Sequence, residues 1–291
     1  MTDLVLVERR DAITVLTVNR PEARNAIDLA TAKAIEAAVD AFEADVQARV
    51  LVLTGAGGTF SAGMDLVAAS RGEMPVTPHR GPLGIAAKPP AKPMISAVEG
   101  YALAGGFELA LSGDMIVAAR DAQFGIPEVK RGLVAAGGGV LRLTQRLPRS
   151  TAAELALTGG RISAERLYQL GLVNRVTEPG GALDTALELA AEIAAAAPLA
   201  VAASKRIIDE SPDWSVAEAF AKQGEVALPA LFSKDAAEGA LAIGQKPEPL
   251  WQGRRPTGAP TSRCWPTRVT ASTRSPTAPT TCPGRSRRSA G

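Results

Sequence analysis

The chain has 291 residues, 46% hydrophobic and 4% aromatic, which is typical of one large α/β domain or two small ones with an aliphatic core. No run of 18 apolar residues occurs, and the N-terminal segment lacks the pattern of a secretory signal, so neither a membrane span nor export is expected. Both cysteines, Cys264 and Cys282, lie near the C-terminus, which gives no disulfide framework and no cysteine metal site. A cytoplasmic protein is therefore expected.

The formal net charge of +2 combines two unlike parts of the chain. Eight arginines and no lysine or acidic residue lie from Gln252 onward, which leaves 24 basic and 30 acidic residues, a net charge of −6, in residues 1–251. This acidic part shows no sign of nucleic-acid binding. Residues 252–291 are rich in Pro, Ser, Thr and Arg without apolar periodicity, so we expect a disordered basic tail. A non-native extension is favoured over an arm that binds an anionic partner.

The first elements predicted are two short strands with a turn at Arg10–Asp11, ended by Pro21. Apolar residues at steps of three and four predict an amphipathic helix from Asp28 to Gln47. The continuous apolar segment RVLVLTG (49–55) then predicts a strand buried on both faces of a parallel sheet. A loop and a Pro-rich irregular stretch (73–93) follow it.

Three further segments continue the alternation of strand and helix. MISAVEG (94–100) and DMIVAAR (114–120) predict strands, and GGFELALSG (105–113) predicts a helix between them. This βαβ pattern indicates a mostly parallel sheet wrapped by helices. After Asn174–Arg175 the pattern is nearly all helical, with helices predicted at 182–197, 198–210, 215–232 and 234–244. The predicted organisation is thus an α/β core with the active site (1–180), a helical C-terminal subdomain (181–251) and the tail.

Two glycine-containing loops are candidates for binding an oxygen atom. In the first, GTFSAGMDL (58–66), Gly63 lets the backbone approach a ligand and leaves the N–H of Met64 free. In the second, Gly105–Gly106 opens a helix, where backbone N–H groups lack partners. If the loops end adjacent parallel strands, their N–H groups can form an oxyanion hole. Taken alone, the first loop is more typical of an ordinary turn, and the second suits an anion or phosphate cradle as well as a catalytic device; its glycine spacing matches neither a P-loop nor a dinucleotide motif.

Two glutamates are candidates for acid–base chemistry. Glu108 lies among apolar residues in the first turn of a predicted helix, and Glu128 follows a proline on a loop after the next strand. Taken alone, Glu108 is typical of a residue that stabilises the helix dipole, and Glu128 is typical of a solvated charge on a loop. Together they flank one strand, and carboxylates in one cleft have their pKa values pushed apart, so that one serves as base and the other as acid. The lone histidine, His79, has no G-x-S-x-G motif to support a catalytic triad.

Four separated motifs carry a resemblance to a known family: FSAGMDL, GYALAGGFELALSGD, AQFGIPEVKRGLVAAGGGVLRL and ALTGGRISAERLYQLGLVNRV. In order and spacing they resemble the enoyl-CoA hydratase/isomerase (crotonase) family over about residues 3–254. Within it, the chain looks most like the crotonobetainyl-CoA (carnitinyl-CoA) hydratase branch. The resemblance implies a crotonase-type spiral of repeated ββα units and a homotrimer or dimer of trimers, in which the C-terminal helices help to build the site.

The resemblance also implies roles for individual residues. Met64 and Gly105 would donate the two N–H groups of the oxyanion hole, and Glu108 and Glu128 would be the catalytic pair. No metal or redox cofactor is implied, because coenzyme A is part of the substrate. Lys246 would approach the CoA phosphates. The residues implied to lie near the substrate or its CoA are Ala23, Arg24, Ala26, Ala62, Asp65, Leu66, Gly106, Pro127, Leu133 and Lys246.

The activity implied by this resemblance is syn addition of water across the 2,3 double bond of an enoyl-CoA thioester, with neither nucleic acid nor membrane as partner. One alternative is a Δ3–Δ2 enoyl-CoA isomerase, for which a glutamate at position 128 often suffices in the family. The other is a non-catalytic acyl-CoA-binding scaffold, which the paired glutamates disfavour. The stretch 70–93, where the family varies most, leaves the acyl group open.

Overall fold

A computed structural model describes residues 3–245 and 250–253. Its strands are β1 (Val5–Arg10), β2 (Ile13–Val18), β3 (Val50–Gly55), β4 (Val76–Thr77), β5 (Gly81–Pro82), β6 (Met94–Val98), β7 (Tyr101–Leu103), β8 (Met115–Ala119), β9 (Gln123–Gly125), β10 (Arg161–Ser163) and β11 (Arg175–Thr177). Its α-helices are α1 (Leu29–Ala44), α2 (Leu66–Ser70), α3 (Gly105–Ala110), α4 (Gly139–Arg146), α5 (Arg149–Thr158), α6 (Ala164–Gln169), α7 (Ala182–Ala194), α8 (Pro198–Glu210), α9 (Ala219–Leu231) and α10 (Lys234–Gln245). Short 3₁₀ turns cover Pro21–Ala23, Pro127–Arg131 and Ser211–Asp213.

The main sheet has the strand order β1-β2-β3-β6-β8-β11. β1 and β2 form an antiparallel hairpin, and every later pairing in this sheet is parallel. The hairpin turn falls at Asp11 and Ala12, one residue later than predicted, and Asp11 adopts a left-handed φ of 51°. The sheet therefore confirms the mostly parallel arrangement predicted from the apolar strand segments.

Both faces of the main sheet are covered by apolar residues. Alternate residues of β3 face opposite sides: Leu51 and Leu53 join the core that includes α1, and Val50 and Val52 join the core that includes α7. This period of two follows from strand geometry. The side chain of Asp28 caps α1 by accepting a hydrogen bond from the backbone N–H of Thr31.

A second, three-stranded sheet has the order β10-β9-β7. β7 leads into α3, and β9 leads into the 3₁₀ turn that carries Glu128. Because β7 and β9 are parallel neighbours, their C-terminal ends lie side by side. The rings of Phe107 on α3 and Phe124 on β9 pack edge to face, 5.1 Å apart. This sheet places the two candidate glutamates near each other.

The Pro-rich stretch is irregular as predicted, apart from the short β4–β5 pairing, and it is firmly attached to α1. Arg80 is only 3% exposed and donates hydrogen bonds to Asp40 at 2.8 Å and Glu43 at 2.6 Å. The buried carboxylate of Glu36 accepts from the backbone N–H of Arg80 and from the Thr77 hydroxyl. The stretch is thus tied to α1 through ionic hydrogen bonds.

The C-terminal part differs from the predicted pattern in two places. Arg175–Thr177 form the edge strand β11, where a nearly all-helical pattern was predicted, because three residues are too few to show a strand period. The helix predicted from residue 215 begins at Ala219, since residues 216–218 form a turn in which the Ser215 hydroxyl bonds the Glu218 carboxylate instead of a backbone N–H. The domain boundary at residue 180 stays a prediction, and the tail beyond residue 253 lies outside the described residues.

Across the described ranges, no single helix is long and apolar enough to cross a membrane. The segments Ala182–Ala194 and Pro198–Asp213 meet the criteria of length and composition only as a pair bent by 110°.

Candidate active site

The two candidate loops lie side by side in the structure. Ser61 and Ala102 form a parallel bridge, in which the Ser61 N–H donates to the Tyr101 carbonyl at 3.0 Å and the Leu103 N–H donates to the Ser61 carbonyl at 3.1 Å. Met64 pairs with Ile27 on the other side of the loop. These backbone bonds fix the loop after β3 against the turn between β7 and α3.

Glycine is required where the loops meet. Gly63 has a φ of +90°, and a Cβ there would lie 2.6 Å from the amide nitrogen of Gly105. A Cβ on Gly106 would lie 2.1 Å from the Ser61 carbonyl oxygen. Neither position has room for a larger residue, so the sequence pattern of glycines reports a real close approach of two backbones.

Two backbone N–H groups at this contact are free to bind an oxygen. Within residues 3–245 and 250–253, neither the Met64 nor the Gly105 amide has a hydrogen-bond acceptor. A Cβ on Gly105 would lie 3.2 Å from the Met64 nitrogen, so the two residues are immediate neighbours. The preceding residue, Ala104, adopts φ 51° and ψ −128°, a strained conformation for a residue with a side chain. Strain of this kind is often found at functional sites, and here it sets the direction of the Gly105 amide.

Glu108 lies in the first turn of α3 and is 5% exposed. Its Oε1 accepts a hydrogen bond of 2.9 Å from the backbone N–H of Gly139. Burial raises the pKa of Glu108, and three groups oppose that rise: the N–H groups of Gly139 and Gly137 and the charge of Arg142. The carboxylate is therefore buried but held by donors that favour its ionised form.

Glu128 lies in the 3₁₀ turn after Pro127 and has different surroundings. Its Oε2 is buried and has no hydrogen-bond partner among the described residues. Burial raises the pKa of Glu128 to about 7, and the charge of Glu108 adds to the rise. The C-terminal ends of β7 and β9, which lead to the two glutamates, lie side by side, and that the pair shares one cleft stays a prediction. The surroundings are thus unequal: backbone donors and Arg142 oppose the rise in the pKa of Glu108, whereas the charge of Glu108 adds to the rise in the pKa of Glu128.

The segment implied to run along CoA packs on the first loop. The Ala62 N–H donates to the Arg24 carbonyl at 3.0 Å, so Ala23, Arg24 and Ala26 lie beside Ala62 and the residues that follow it. Arg24 is exposed and Ala26 is half-buried. Within the described residues, Arg24 thus lies exposed, and Ala26 partly so, beside the loop of the candidate oxyanion hole.

Other predicted residues are placed less directly at this site. The carboxylate of Asp65 accepts from the N–H groups of Val67 and Ala68 and from Arg20, so its hydrogen bonds serve the start of α2. Leu66 is 56% exposed and Leu133 is 43% exposed. Lys246 lies outside the described residues. His79 is exposed in the Pro-rich stretch, with its backbone near Glu36.

Sequence reasoning missed three groups that support the site. The side chain of Asn25, fully buried, donates to the carbonyls of Ala56 and Thr59 and so shapes the first loop. Gly137 and Gly139 lie close to Glu108: a Cβ on Gly137 would lie 2.7 Å from its side chain, and a Cβ on Gly139 would lie 2.9 Å from it. Arg142 follows them on α4. The run AAGGGV was visible, but nothing in it indicates a contact with a residue 30 positions earlier.

A cavity of about 340 Å³ lies at the glycine run that contacts Glu108. Its lining comes from the Pro-rich stretch and from the start of α4, and Gly137 is shared between the cavity wall and the Glu108 contact. Among the described residues no cluster of three or more His, Cys, Asp or Glu side chains is arranged to hold a metal ion. The candidate site combines two backbone amides that have no acceptor among the described residues, two carboxylates in unequal surroundings and an adjacent cavity. Its class is therefore one suited to acid–base chemistry next to a polarised oxygen.

Comparison with known proteins agrees with this class. The family model described as enoyl-CoA hydratase/isomerase matches residues 8–254. A carnitinyl-CoA dehydratase from Salmonella arizonae is 44% identical over 262 residues, which cover 87% of this chain and all of that protein. The crystal structure of an enoyl-CoA hydratase from Mycobacterium tuberculosis H37Rv is 55% identical, with a TM-score of 0.84 over 86% of this chain and 99% of that one. That of an enoyl-CoA hydratase from Mycobacterium marinum is 57% identical, also with a TM-score of 0.84, and covers the same shares.

The chain belongs to the enoyl-CoA hydratase/isomerase family. The crotonase-type α/β fold predicted from the motifs is confirmed, as is the resemblance to carnitinyl-CoA enzymes.

Proposed function

We propose that this protein is a hydratase/dehydratase that adds water syn across the 2,3 double bond of an enoyl-CoA thioester. The observation that carries this proposal is the unequal pair of buried carboxylates, Glu108 and Glu128, next to two free backbone amides. Hydration moves two protons, one off water and one onto carbon, and therefore uses two acid–base groups. The family and its hydratase and dehydratase relatives support the same reaction.

The amides of Met64 and Gly105 are proposed to bind the thioester oxygen. When water attacks C3, negative charge develops on this oxygen as an enolate forms. Two N–H groups already held by the bridged loops stabilise that charge without reorganisation, and a single such donor is worth about 10²- to 10³-fold in rate.

Glu108 is proposed as the base and Glu128 as the acid. Glu108 accepts a proton from water as the oxygen bonds to C3, since its backbone donors and Arg142 favour the ionised carboxylate. Glu128 gives its proton to C2, since its buried Oε2 and raised pKa favour the neutral acid. The net result is one water added, with the proton moved from Glu128 to Glu108 and restored by exchange with solvent.

Coenzyme A is proposed to run past Ala23, Arg24 and Ala26 and along Ala62, with Lys246 near its phosphates. Asp65, Leu66, Gly106, Pro127 and Leu133 complete the proposed substrate contacts. The reaction needs no metal or redox cofactor, because the two glutamates and the amides supply every proton and charge involved. The cytoplasmic location stays a prediction.

A homotrimer or dimer of trimers is proposed as the assembly. Large apolar side chains are exposed on the C-terminal helices: Ile208 is 70% exposed, Phe220 72% and Leu241 60%. Exposed apolar groups on neighbouring helices are typical of a surface that another subunit covers.

Isomerisation of 3-enoyl-CoA is the second candidate, because Glu128 alone can move a proton between carbons. A spectroscopic assay separates the candidates. Hydration of crotonyl-CoA removes the absorbance of the conjugated double bond, and isomerisation of a 3-enoyl-CoA creates it, whereas a scaffold does neither. We expect loss of absorbance with crotonyl-CoA. No change with any 2-enoyl-CoA in a panel that includes crotonobetainyl-CoA would contradict the proposal.

A further inference from the structure

Arg142 is a charged residue that transfers no proton in the reaction scheme, although it lies against the site. It stands on α4, directly after the glycine run. One guanidinium nitrogen donates to the Ala86 carbonyl at 2.6 Å, and the other donates to the Gly137 carbonyl at 3.3 Å. Among the described residues, no carboxylate lies within 4.0 Å of this guanidinium. A half-buried cation bound only by carbonyl groups retains its full positive charge toward its surroundings.

The glycine turn is held between Arg142 and Glu108. On one side, the Gly139 N–H donates to Glu108, and a Cβ on Gly137 would lie 2.7 Å from its Oε2. On the other side, a Cβ on Gly138 would lie 2.4 Å from the Arg142 Nη1, and Gly138 has a φ of +95°. The turn is therefore in close contact with both the carboxylate and the guanidinium. The Arg142 side chain therefore borders the turn that donates to Glu108.

In the part of the chain that the structure describes, the charges that act on Glu108 lie on the 3₁₀ turn and on α4. Glu128 faces it from the 3₁₀ turn, and Arg142 faces it from α4, with Arg146 beyond Arg142 on the same helix. Strands β6 and β7 also pack on α3, and their only titratable residue is Tyr101, which is 42% exposed and lies under Arg161. Arg142 is thus the cation positioned to favour ionised Glu108 over ionised Glu128.

We propose that Arg142 is a positioning residue: it clamps the Gly137–Gly139 turn against Glu108 and supplies the positive charge that keeps Glu108, rather than Glu128, ionised at rest. This inference rests on the proposed function, since the protonation state matters for hydration. It goes beyond that function by assigning the division of labour between the two glutamates to a third residue. The same residue joins the turn to the Pro-rich stretch through Ala86.

The first test is the pH dependence of hydration by Arg142→Gln and Arg142→Lys. Loss of the charge in Arg142→Gln removes an interaction that opposes the raised pKa of Glu108. The acidic limb of kcat/KM should then move to higher pH by roughly half a unit or more, with kcat reduced about tenfold and KM little changed. Arg142→Lys retains the charge and should leave the acidic limb in place. Arg149→Gln removes an exposed charge at the start of α5 and serves as the charge-matched control.

The outcomes are decisive even if one variant folds poorly. An Arg142→Gln enzyme that is slower but has an unmoved acidic limb would overturn the proposal, as would an Arg142→Lys enzyme whose limb moves as far as that of Arg142→Gln. If Arg142→Gln fails to fold, as judged by circular dichroism, Arg142→Lys still decides: an unmoved limb supports the charge role, and a moved limb refutes it.

A second readout does not depend on turnover. ¹³C NMR of protein labelled at glutamate Cδ follows the titration of Glu108, whose resonance is the one lost in Glu108→Gln. In the Glu128→Gln background, Glu108 should titrate at higher pH when Arg142 is replaced by Gln. An unchanged titration would overturn the inference. If the protein hydrates no enoyl-CoA but the titration shifts, the proposed function fails and the role of Arg142 stands.

Discussion

At the scale of single residues, the proposed site contains two glutamates of the same chemistry in unlike surroundings. Glu108 receives backbone hydrogen bonds, whereas Glu128 has a buried oxygen without a partner in the described structure. Desolvation raises the pKa of both carboxyls; the N–H groups of Gly137 and Gly139 and the charge of Arg142 oppose the rise at Glu108, whereas its own backbone N–H opposes it at Glu128. This difference, more than the presence of two carboxylates, is the basis for the separate roles proposed for them.

Glu128 makes the free energy of unfolding fall as pH rises, which is the opposite of the dependence that a salt-bridged acid gives. Its folded pKa of about 7 lies above the ordinary value of 4.5, so the folded state binds more protons between these values. Stability is then fully retained below the ordinary value and falls as pH rises toward 7. Glu128→Gln mimics the neutral acid and should lose less stability than the wild type between about pH 5 and about pH 8 in urea unfolding.

The control for this effect is Glu154→Gln, which changes an exposed glutamate on α5. It should follow the wild-type pH dependence. If Glu128→Gln and the wild type lose the same stability over this range, the buried, neutral state assigned to Glu128 is wrong.

Sequence reasoning named the candidate residues of the site but not the contacts that surround them. Glu108 stood out because a carboxylate among apolar neighbours needs an explanation. Gly63 and Gly105 stood out because each opens a turn. The contact of Glu108 with Gly139 spans 31 residues and leaves no local pattern. Asp65 is a different case. The resemblance implied that it lies near CoA, but the hydrogen bonds by which its carboxylate caps α2 were visible only in the structure.

At the scale of elements, the Pro-rich stretch is the most informative segment. Its lack of periodicity indicated an irregular loop, yet it is fixed to α1 by the buried cation of Arg80. The same stretch lines the cavity beside Glu108 through Pro82, Ala86 and Ala87. An irregular segment can thus form a stable wall when one buried ionic contact fixes it in place.

Arg80→Met should therefore destabilise the protein. It breaks hydrogen bonds to Asp40, Glu43 and the Lys88 carbonyl, and removal of such charged bonds costs about 2–4 kcal/mol in total. Arg71→Met, at an exposed position nearby, should change the free energy of unfolding by less than about 0.5 kcal/mol. Equal effects of the two changes in chemical denaturation would show that Arg80 does not anchor the stretch.

Long, periodic elements were predictable and short ones were not. α1 and β3 carry enough apolar residues to show their period, and Asp28 marks the helix start. β11 has three residues, and its strand conformation depends on pairing with β8, 58 residues earlier. The start of α9 depends on a local competition at Ser215, whose hydroxyl bonds a carboxylate rather than a backbone N–H. The strand at β11 and the start of α9 are thus determined by contacts that the spacing of apolar residues does not show.

At the scale of the whole molecule, α7 closes the second face of the main sheet and α8–α10 extend beyond it. Ala182, Ala186 and Ala190 of α7 are fully buried against the sheet. By contrast, α8 and α9 expose Ile208 and Phe220. The helical region thus supplies a core helix first and a candidate subunit surface afterwards.

Phe220→Asp should lower the molecular mass measured by light scattering from that of a trimer or hexamer toward that of the monomer, because burying the new charge opposes association. Val46→Asp places the same charge at a position that is 94% exposed, in the turn after α1, and should leave the mass unchanged. An unchanged mass for Phe220→Asp would remove α9 from the proposed interface.

The tail gives a separate prediction at this scale. Since residues 252–291 lack apolar periodicity, truncation after Arg254 should leave the hydration rate and the molecular mass unchanged. A clear loss of either in the truncated protein would show that the tail has a role in this protein.

The central claim is that both glutamates are needed for hydration. The measurement that tests it most directly is the hydration rate of the preferred 2-enoyl-CoA by Glu108→Gln and by Glu128→Gln, beside the Glu154→Gln control. Each site variant should lower kcat by about 10² to 10⁴ while CoA affinity stays nearly unchanged, because only the proton transfers are removed. A wild-type rate in either site variant would contradict the two-carboxylate account.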